Sequence, residues 1–550
     1  MDTTHETVAA IEEALGVSGV SLSLTDHGRD VVGRLGATWF VAAVRSLALA
    51  HPGSPLELVL EAVSIEPFPR PVPIHPSSAG GMYGEGRAIG RISVPAAGGG
   101  SAPVVSRVLI VPSAQMLEHG GGFEFIAPTS LKRRVAGRVY KELYRRAPLS
   151  LDRWRQQRNS QVIGHRASMA PISPALTSVA PERHRTQDGR PVAWLALHWL
   201  ETGGAESWAF DAARLAREAG YEVVMTADVP APQREVERAL AVADHVYLPA
   251  NALAEEDWGQ FLENLVVAHD ISLVHIHHSA RAYGFLPELR HRRPSTVVID
   301  STHIVEHRTG GFVKTSIEYS QHIDEHHVIS PELRDLYLLD SHVEPSKVRY
   351  HPLTSPRPGT VPTPVAREGR ALRIGFLGRL APQKRPFLFV EMARRLHARH
   401  PDDFTFVMQG SGVLDELTSG QIARAGLAGV IERRAWGPVD DFLSSIDVLV
   451  VSSDNEGLTL TTLEAEQFGV LVLSADVGSQ RTVIAPQVLV PREPAGFLRE
   501  SVAALTHLAT TPGAFETAAR VQTELATALS AVESAATYLT TTLRTHKEPS

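Results

Sequence analysis

Two glutamates, Glu456 and Glu464, lie at a predicted turn from a strand into a helix. The segment 448–474 is typical of a strand, the turn DNEGL, a helix that begins near Thr459, and a second strand. A helix N-terminus at the carboxyl end of a strand offers unpaired backbone N–H groups, and Gly457 lets an anion approach them closely. The carboxylates can accept hydrogen bonds from hydroxyl groups. The segment therefore predicts a site for a phosphate and a hydroxyl-rich compound.

The elements that must position these residues follow a regular alternation. From residue 191 onward, short runs of β-branched and apolar residues alternate with longer helical patterns. Strands this apolar are typical of a mostly parallel sheet covered by helices on both faces. The alternation stops at a proline-rich segment and begins again near residue 371, which predicts two Rossmann-like domains. Two such domains facing one another place their strand ends, and any ligand, in the cleft between them.

The same patterns divide the chain into five parts. We predict an N-terminal accessory domain of α+β type and unknown role, a linker, a first Rossmann-like domain, a hinge, and a second Rossmann-like domain. The second domain closes with a helical pattern from Phe515 to about Leu543. The predicted ranges are, in that order, 1–150, 151–190, 191–355, 356–370 and 371–550. The predicted fold class is α/β, with two domains facing across a cleft and a small α+β domain in front of them.

The second Rossmann-like domain resembles a known family. The spacing of Glu456 and Glu464 within EGLTLTTLEAEQFG is similar to the E-x7-E signature of retaining glycosyltransferases of the GT-B fold, family four. In that family the first strand of the C-terminal domain ends in Gly-Arg-x and is followed by a lysine. This chain has GRL at 378–380 and then Lys384. The resemblance covers roughly residues 191–530 and implies the GT-B fold.

The resemblance implies roles for four side chains. Arg379 and Lys384 would hold the diphosphate of a nucleoside-diphosphate sugar. Glu464 would hold the nucleotide ribose, and Glu456 would hold hydroxyls of the transferred sugar. The other implied donor contacts are turn positions: Gly457, Leu458, Thr459, Gly203 and Gly204.

The first Rossmann-like domain carries two further motifs that the resemblance implies. The family has a Gly-Gly loop after the first strand of this domain, and LETGGAE supplies Gly203 and Gly204 here. It also has an active-site histidine after a later strand, which matches His303 after STVVIDS. Departures from the family pattern at Thr459 and at VGSQR (477–481) concern the sugar contacts rather than the fold. The implied catalytic residues are Glu456, His303, Arg379 and Lys384.

The chemistry implied by these residues needs no metal. Two cations facing a diphosphate stabilise the charge that develops on a leaving nucleoside diphosphate, so they can replace a divalent ion. We expect no metal site and no resident cofactor, with the nucleoside-diphosphate sugar acting as co-substrate. In the implied retaining reaction the leaving phosphate oxygen takes the acceptor proton on the same face, so no carboxylate nucleophile is required. The acceptor would be a hydroxyl of a glycan, a lipid-linked compound or a small molecule.

Several alternatives stay open at this point. A non-catalytic GT-B subunit could bind a partner transferase or a glycan, and a GT-B epimerase would turn over a sugar nucleotide without an acceptor. His303, Glu306 and His307 also spell H-x-x-E-H, an inverted zinc-protease motif. That motif needs an amphipathic helix, whereas these residues directly follow a predicted strand. A second cluster at a strand end is expected to serve core packing or substrate contact: His275, His277 and His278.

Composition narrows the class of protein. The 550 residues predict about three domains, and 43% hydrophobic with 21% charged residues is typical of a globular protein. The absence of cysteine excludes disulfides, thiolate metal sites and a cysteine nucleophile. A net charge of −8 argues against a nucleic-acid partner. Because the first residues lack a positively charged segment, we expect no secretory signal and a cytoplasmic protein.

One segment departs from the acidic balance. Residues 131–158 contain ten basic and two acidic side chains. Leu131, Val135, Val139 and Leu143 recur at near-helical spacing between the cations. This pattern is typical of a basic amphipathic helix on an anionic membrane surface, and equally of a solvated helix packed on its own domain. In the first case the protein would be peripheral on the inner face of the membrane.

Overall fold

The computed structural model describes residues 3–63, 88–96, 102–113, 117, 139, 142–159, 189–304, 310–353, 370–412 and 414–547. The hinge predicted at 356–370 lies outside these ranges except for residue 370. The linker predicted at 151–190 is described only at 151–159 and 189–190, and the basic segment 131–158 only at 139 and 142–158.

The N-terminal part of the chain is a domain of α+β type. Its helices are α1 (Thr3–Leu15), α2 (Asp26–Leu35) and α3 (Ala37–Ala50), and its strands are β1 (Ser21–Leu24), β2 (Leu56–Val63), β3 (Ala88–Val94) and β4 (Val105–Pro112). The sheet order is β1-β3-β2-β4, with β2 antiparallel to β3 and parallel to β4. A further helix, α4 (Pro148–Asn159), follows in the chain.

Within the part of the chain that the structure describes, no single helix has the length and apolar character needed to cross a membrane. Helices α2 and α3, bent by 93° against each other, meet these criteria only as a pair and by length and composition alone.

The first Rossmann-like domain has a seven-stranded parallel sheet of order β11-β10-β9-β8-β5-β6-β7. Its strands are β5 (Val192–Leu197), β6 (Glu222–Ala227), β7 (His245–Tyr247), β8 (Ile271–His277), β9 (Val297–Thr302), β10 (Glu325–Val328) and β11 (Val348–Tyr350). Its helices are α5 (Gly204–Glu218), α6 (Val236–Val242), α7 (Pro249–Ala252), α8 (Trp258–Ala268), α9 (Ala280–Arg292), α10 (Gly311–Glu318) and α11 (Pro331–Asp335). The central strands are buried because helices cover both faces.

The second Rossmann-like domain has a six-stranded parallel sheet of order β14-β13-β12-β15-β16-β17. Its strands are β12 (Leu372–Leu377), β13 (Phe404–Gln409), β14 (Ile431–Arg434), β15 (Val448–Val451), β16 (Leu471–Ala475) and β17 (Leu489–Val490). The helices are α12 (Pro386–Arg399), α13 (Asp415–Arg424), α14 (Val439–Ser444), α15 (Leu460–Gln467), α16 (Pro494–Thr510), α17 (Ala514–Ser530) and α18 (Ala535–Lys547). The predicted fold class, two Rossmann-like domains after a small α+β domain, is confirmed.

The N-terminal domain shares its hydrophobic core with the first Rossmann-like domain. Trp39 Nε1 of α3 donates to the carbonyl of Pro232 at 3.0 Å. The guanidinium of Arg107 in β4 contacts Asp257 through two hydrogen bonds of 2.6 and 2.7 Å. Because the two units bury one continuous core and a charged pair between them, they form one structural body rather than two hinged domains.

The predicted boundary at residue 150 is wrong in its detail. Residues 151–159, predicted as linker, belong to helix α4, and Leu151 packs with Tyr144 in the core of the second Rossmann-like domain. Pro148 opens the helix, as proline does at a first helical position, because its missing N–H needs no partner there. The segment 142–159 is therefore part of the C-terminal half of the fold.

The closing helical pattern is also divided differently. The single helix predicted from Phe515 to Leu543 is two helices, α17 and α18, separated near Ser534, whose hydroxyl accepts from Thr537 N at 3.2 Å. Helix α18 packs on the first Rossmann-like domain, where Tyr221 Oη donates to the carbonyl of Leu543 at 3.0 Å. Helix α17 therefore packs on the second Rossmann-like domain, whereas α18, the last helix, packs on the first.

Candidate active site

The turn after β15 contacts a short loop after β12. Both lie at the carboxyl ends of the central strands of the second sheet. Lys384 Nζ lies 2.5 Å from Glu456 Oε1, which joins two of the residues predicted to hold a donor. Glu456 is buried and the lysine is about one-fifth exposed. The positive charge that would meet a diphosphate is therefore engaged by a carboxylate of the same site.

Hydrogen bonds to backbone carbonyls hold these two loops together. Asp454 N donates to the carbonyl of Gln383 at 2.8 Å, and Gln383 Nε2 donates to the carbonyl of Asn455 at 2.9 Å. Ser452 Oγ donates to the carbonyl of Lys384 at 2.8 Å. The position of Lys384 is thus fixed by the backbone of the segment that carries Glu456.

Arg385 holds both loops in place through its buried side chain, a role that the sequence analysis missed. It is fully buried and has a φ of 47°, in the left-handed region. Its guanidinium donates to the carbonyls of Ser452 and Ser453, at 2.6 and 2.7 Å, and contacts Asp152 of α4 at 3.3 Å. Burial lowers the pKa of Arg385, and the Asp152 charge opposes that shift. A charged residue in a polar loop carries no local signal of burial.

Arg379 is exposed and follows the carboxyl end of β12. It is near enough to Glu206 of α5 that its charge counteracts the shift in the pKa of that carboxyl, which burial raises. Trp199 Nε1 donates to Glu206 Oε1 at 2.8 Å. The charge of an arginine of one domain therefore acts on the carboxyl of a glutamate in the other.

Glu206 also occupies the space beside the predicted Gly-Gly loop. Gly203 precedes α5 and Gly204 is its first residue, so the predicted Gly-Gly loop lies between β5 and the N-terminus of this helix. A Cβ atom on Gly203 would lie 2.1 Å from Glu206 Oε2. The structure therefore places a carboxylate of the chain itself against this loop, at a helix N-terminus that favours an anion.

His303 follows β9 and lies where the two domains touch. A Cβ atom on Gly457 would lie only 1.9 Å from the His303 carbonyl oxygen, so only glycine fits at this contact. His303 Nε2 is 2.8 Å from Ser301 Oγ. Burial, reinforced by the neighbouring His278 and His327, lowers the pKa of His303 well below its usual range. The imidazole is therefore neutral at physiological pH.

The remaining residues predicted to contact a sugar donor lie at the start of α15 or within it. Leu458 is buried and Thr459 is the N-cap, without a side-chain capping hydrogen bond. Glu464, one helical turn further on, is half-buried and makes no hydrogen bond to another described residue. Burial, and then the charge of Asp440, raises the pKa of Glu464. The carboxylate of Glu464 is thus available to a ligand, beside a helix N-terminus whose cap, Thr459, is half-buried.

The sequence analysis singled out two further sets of histidines: the cluster at 275–278 and the H-x-x-E-H motif at 303–307. His275 and His277 of β8 are buried with ring centroids 4.1 Å apart, and burial lowers the pKa of His275 to about 3. His278 stacks on Phe312. Of the H-x-x-E-H motif, the structure describes only His303, which lies just beyond a strand; Glu306 and His307 are outside the described residues. A zinc-protease helix therefore does not begin at the first histidine.

A different cluster could hold a metal by geometry alone. Candidate ligand atoms of Glu222, His245 and His269 lie within 4.8 Å of one another. Arg45 Nη2 lies 3.1 Å from His245 Nδ1, so that nitrogen accepts a hydrogen bond and Nε2 donates to Glu222 at 3.0 Å. A metal on Nε2 would require a proton on Nδ1, facing the arginine donor. The cluster therefore fits a hydrogen-bonded network better than a metal centre.

Comparisons with known proteins bear on the second Rossmann-like domain. Residues 371–507, which contain Arg379, Lys384, Glu456 and Glu464, match the family model described as "Glycosyl transferases group 1". The chain is 32% identical over 130 residues to a D-inositol 3-phosphate glycosyltransferase of Salinispora tropica, covering 22% of this chain and 27% of the relative. It is 33% identical over 142 residues to a GDP-mannose-dependent alpha-mannosyltransferase of Mycolicibacterium smegmatis, covering 26% and 35%. The chain thus spans about a third or less of the length of these curated relatives.

Solved structures are similar over a longer part of the chain. A glycosyltransferase from Rickettsia africae is 13% identical, covering 65% of this chain and 98% of that one, with a TM-score of 0.49. Anabaena HepE, solved with UDP and glucose, is 14% identical, covering 64% and 97%, with a TM-score of 0.47. The similarity to glycosyl transferases of group 1 is thus confined to residues 371–507, which form most of the second of two Rossmann-like domains.

Proposed function

We propose that this protein is a retaining glycosyltransferase. It would move a sugar from a nucleoside-diphosphate sugar to a hydroxyl of a glycan, lipid-linked or small-molecule acceptor. The observation that carries the proposal is the Lys384–Glu456 pair at the sheet edge of a group 1 glycosyl transferase domain, opposite His303 of the other domain. The lysine can bind a diphosphate, and the neighbouring carboxylate can accept hydrogen bonds from sugar hydroxyls. The pair therefore suits a compound that joins a diphosphate to a sugar.

In this proposal the donor replaces the internal ion pair. Its diphosphate would take Lys384 and Arg379 as partners, with the backbone N–H groups at Leu458 and Thr459 as further donors. Glu456, released from Lys384, would accept hydroxyls of the sugar. Glu464 would accept the ribose hydroxyls, for which its half-buried and unbonded carboxylate is suited.

Catalysis would then consist of positioning and electrostatics. Two cations near the leaving diphosphate lower the energy of the charge that it develops, so the proposed reaction needs no divalent metal and no resident cofactor. A leaving phosphate oxygen that accepts the proton of the attacking hydroxyl on the same face accounts for retention. His303 lies at the domain contact, where the sugar and the acceptor would meet.

Transfer with purified protein tests the proposal. The first donors to try are GDP-mannose, since one relative is described as dependent on it, and UDP-glucose for comparison. Binding of GDP and UDP by calorimetry and NMR of the product's anomeric centre are the two readouts. Lys384→Ala and Glu464→Ala should fold and lose transfer, whereas Lys314→Ala, a lysine paired with Glu318 outside the site, should keep it.

Each rival function gives a different result in the same experiment. A non-catalytic subunit would bind neither nucleoside diphosphate, or would bind one without any transfer. An epimerase would convert the donor in the absence of an acceptor. Inversion at the anomeric carbon would contradict the proposed mechanism while leaving transfer itself intact.

We further propose that residues 131–158 bring the protein to an anionic membrane surface. The described part of this basic segment exposes large apolar side chains, namely Val139 at 52%, Leu143 at 46% and Trp154 at 51%. Apolar and basic groups together favour anionic lipid. Flotation with vesicles containing phosphatidylglycerol should capture the protein, and salt should weaken the capture.

A matched pair of variants tests which surface is used. Trp154→Ala should weaken vesicle binding, whereas Trp436→Ala, which removes a tryptophan of 53% exposure elsewhere, should not. Equal binding to vesicles of phosphatidylcholine alone, or equal losses in the two variants, would contradict this docking surface.

A further inference from the structure

Behind His303, a chain of hydrogen bonds runs into the core of the first Rossmann-like domain. His303 Nε2 lies 2.8 Å from Ser301 Oγ, and the same hydroxyl lies 2.7 Å from His327 Nδ1. His327 Nε2 lies 2.8 Å from the carbonyl oxygen of His351. Trp208 Nε1 donates to Ser301 Oγ at 3.1 Å. Ser301 and His327 are buried, so neighbouring groups rather than solvent decide where the protons lie.

The direction of each hydrogen bond can be worked out from the end of the chain at the His351 carbonyl. A carbonyl oxygen can only accept, so His327 Nε2 carries a proton and donates it to His351. In a neutral imidazole the other nitrogen is then bare, so His327 Nδ1 accepts the single hydroxyl proton of Ser301. The Ser301 oxygen has no second proton to give. His303 Nε2 must therefore be the donor in its contact with Ser301.

Both imidazoles meet the condition of neutrality. Burial lowers the pKa of His327 to about 4, against a smaller opposing effect of its hydrogen bond to the His351 carbonyl. Burial likewise lowers the pKa of His303. With Nε2 protonated in a neutral ring, Nδ1 of His303 is left with a bare lone pair, which can only accept a hydrogen bond.

We infer that Ser301 and His327 are positioning residues that hold His303 in its Nε2–H tautomer. Nδ1 is thereby kept as a hydrogen-bond acceptor at the contact between the two domains. A ligand that uses it must supply a donor, and in a sugar-binding cleft that donor is a hydroxyl. This inference concerns the orientation of a proton, and only its consequence for transfer rests on the proposed function.

The tautomer can be measured without any turnover. Protein labelled with ¹⁵N in its 25 histidines gives ring-nitrogen signals that separate a bare from a protonated nitrogen, and loss of signals in His303→Gln identifies those of His303. The wild-type protein should show a bare Nδ1 and a protonated Nε2. A bare Nε2 in the wild type would overturn the inference, whatever the enzyme's activity.

Two variants change the chain in different ways. In His327→Phe the Ser301 hydroxyl loses its acceptor and becomes free to donate to His303 Nε2, so the tautomer should shift toward protonated Nδ1. Ser301→Ala removes the acceptor for Nε2–H and should give a mixture, whereas Ser301→Thr keeps a hydroxyl and should restore the wild-type signals. Ser46→Ala, which deletes a buried hydroxyl of α3, controls for loss of stability and should leave the His303 signals unchanged.

The same variants connect the tautomer to transfer. Ser301→Ala should lower kcat/KM by roughly threefold to tenfold, the range expected for one neutral hydrogen bond. Affinity for the nucleoside diphosphate alone should be unchanged, because it presents no sugar hydroxyl. Wild-type transfer with unchanged kinetics in Ser301→Ala and His327→Phe would refute the effect on catalysis. A wild type without transfer would instead refute the proposed function and leave the tautomer result valid.

Discussion

Lys384 Nζ lies 2.5 Å from Glu456 Oε1, so a cation and a carboxylate expected to face different parts of one ligand are paired with each other. The pair is largely shielded from water, with side-chain exposures of 22% and 6%. Holding the lysine in this way prevents an unpaired buried charge, but it means that a diphosphate must compete with Glu456 for Lys384.

This competition predicts opposite effects of two substitutions on nucleoside-diphosphate affinity. Lys384→Ala should weaken binding roughly tenfold to a hundredfold, since a charge-assisted hydrogen bond contributes about 1.5–3 kcal/mol. Glu456→Gln should strengthen binding by about twofold to fivefold, because a neutral amide holds the lysine less tightly than the carboxylate does. Calorimetry with GDP and UDP measures both, with Glu432→Gln at a surface pair as the control. Weaker binding in Glu456→Gln would show that no competition exists.

The buried contact between Arg385 and Asp152 predicts a loss of stability in the C-terminal half. Asp152→Ala leaves a fully buried guanidinium with backbone carbonyls and the more distant Asp454, 3.7 Å away. Removing one partner of a buried pair costs about 3–5 kcal/mol, and the remaining contacts should reduce this to about 2–3 kcal/mol. Scanning calorimetry should show a drop of roughly 5–10 °C in Tm. Asp211→Ala, at an exposed pair, should change it little.

The sequence predicted the sheet architecture because its signal is local. Apolar strands of six residues, alternating with helices, are visible without knowing what they pack on. The strand-turn-helix around Glu456 was placed correctly for the same reason, whereas Lys384 was singled out by the resemblance to a family motif. That the two side chains pair with each other could not be predicted, since it depends on how loops 72 residues apart meet.

The packing of α18 and the burial of Arg385 could not be predicted. Both depend on which domain a helix packs against, and the periodicity of apolar residues does not indicate that. Helix α18 has the apolar stripe predicted for it, but the stripe lies on the domain opposite its neighbour α17. The burial of Arg385 depends on α4, which arrives from the far side of a linker. Glu206 is different, because a glutamate three residues after Gly203 stands at a position known for capping helices and could have been read as such.

Asp228 gives a prediction for the pH dependence of stability. Burial raises its pKa to about 7, against hydrogen bonds from Ser279 and Arg281 N. Between pH 4 and pH 7 the native state then keeps a proton that the unfolded chain has released, so the free energy of unfolding falls as pH rises through this window.

Asp228→Asn removes the titrating carboxyl. The fall in the free energy of unfolding between pH 4 and pH 7 should therefore be smaller in this variant. The variant should have a higher Tm than the wild type at pH 8 and nearly the same Tm at pH 4, with thermal melts at several pH values as the measurement. Asp244→Asn controls for the loss of a carboxylate in the same domain that accepts a backbone hydrogen bond. A difference between wild type and Asp228→Asn that does not vary with pH would contradict the raised pKa.

The contact between Gly457 and His303 predicts a separation of binding from turnover. A methyl group on Gly457 would meet the His303 carbonyl at 1.9 Å, and a backbone atom cannot move aside as a flexible side chain can. Gly457→Ala should therefore hold the two domains apart, which small-angle scattering would report as a larger radius of gyration. Gly457 also belongs to the turn proposed to approach the diphosphate, so nucleoside-diphosphate binding should weaken as well, but by less than kcat, which should fall by at least roughly a hundredfold because misplacement by about 1 Å has such effects. Gly429→Ala, where a methyl group meets no atom within 4 Å, is the matched control. Full turnover in Gly457→Ala would mean that the reaction does not use the domain contact seen in this structure.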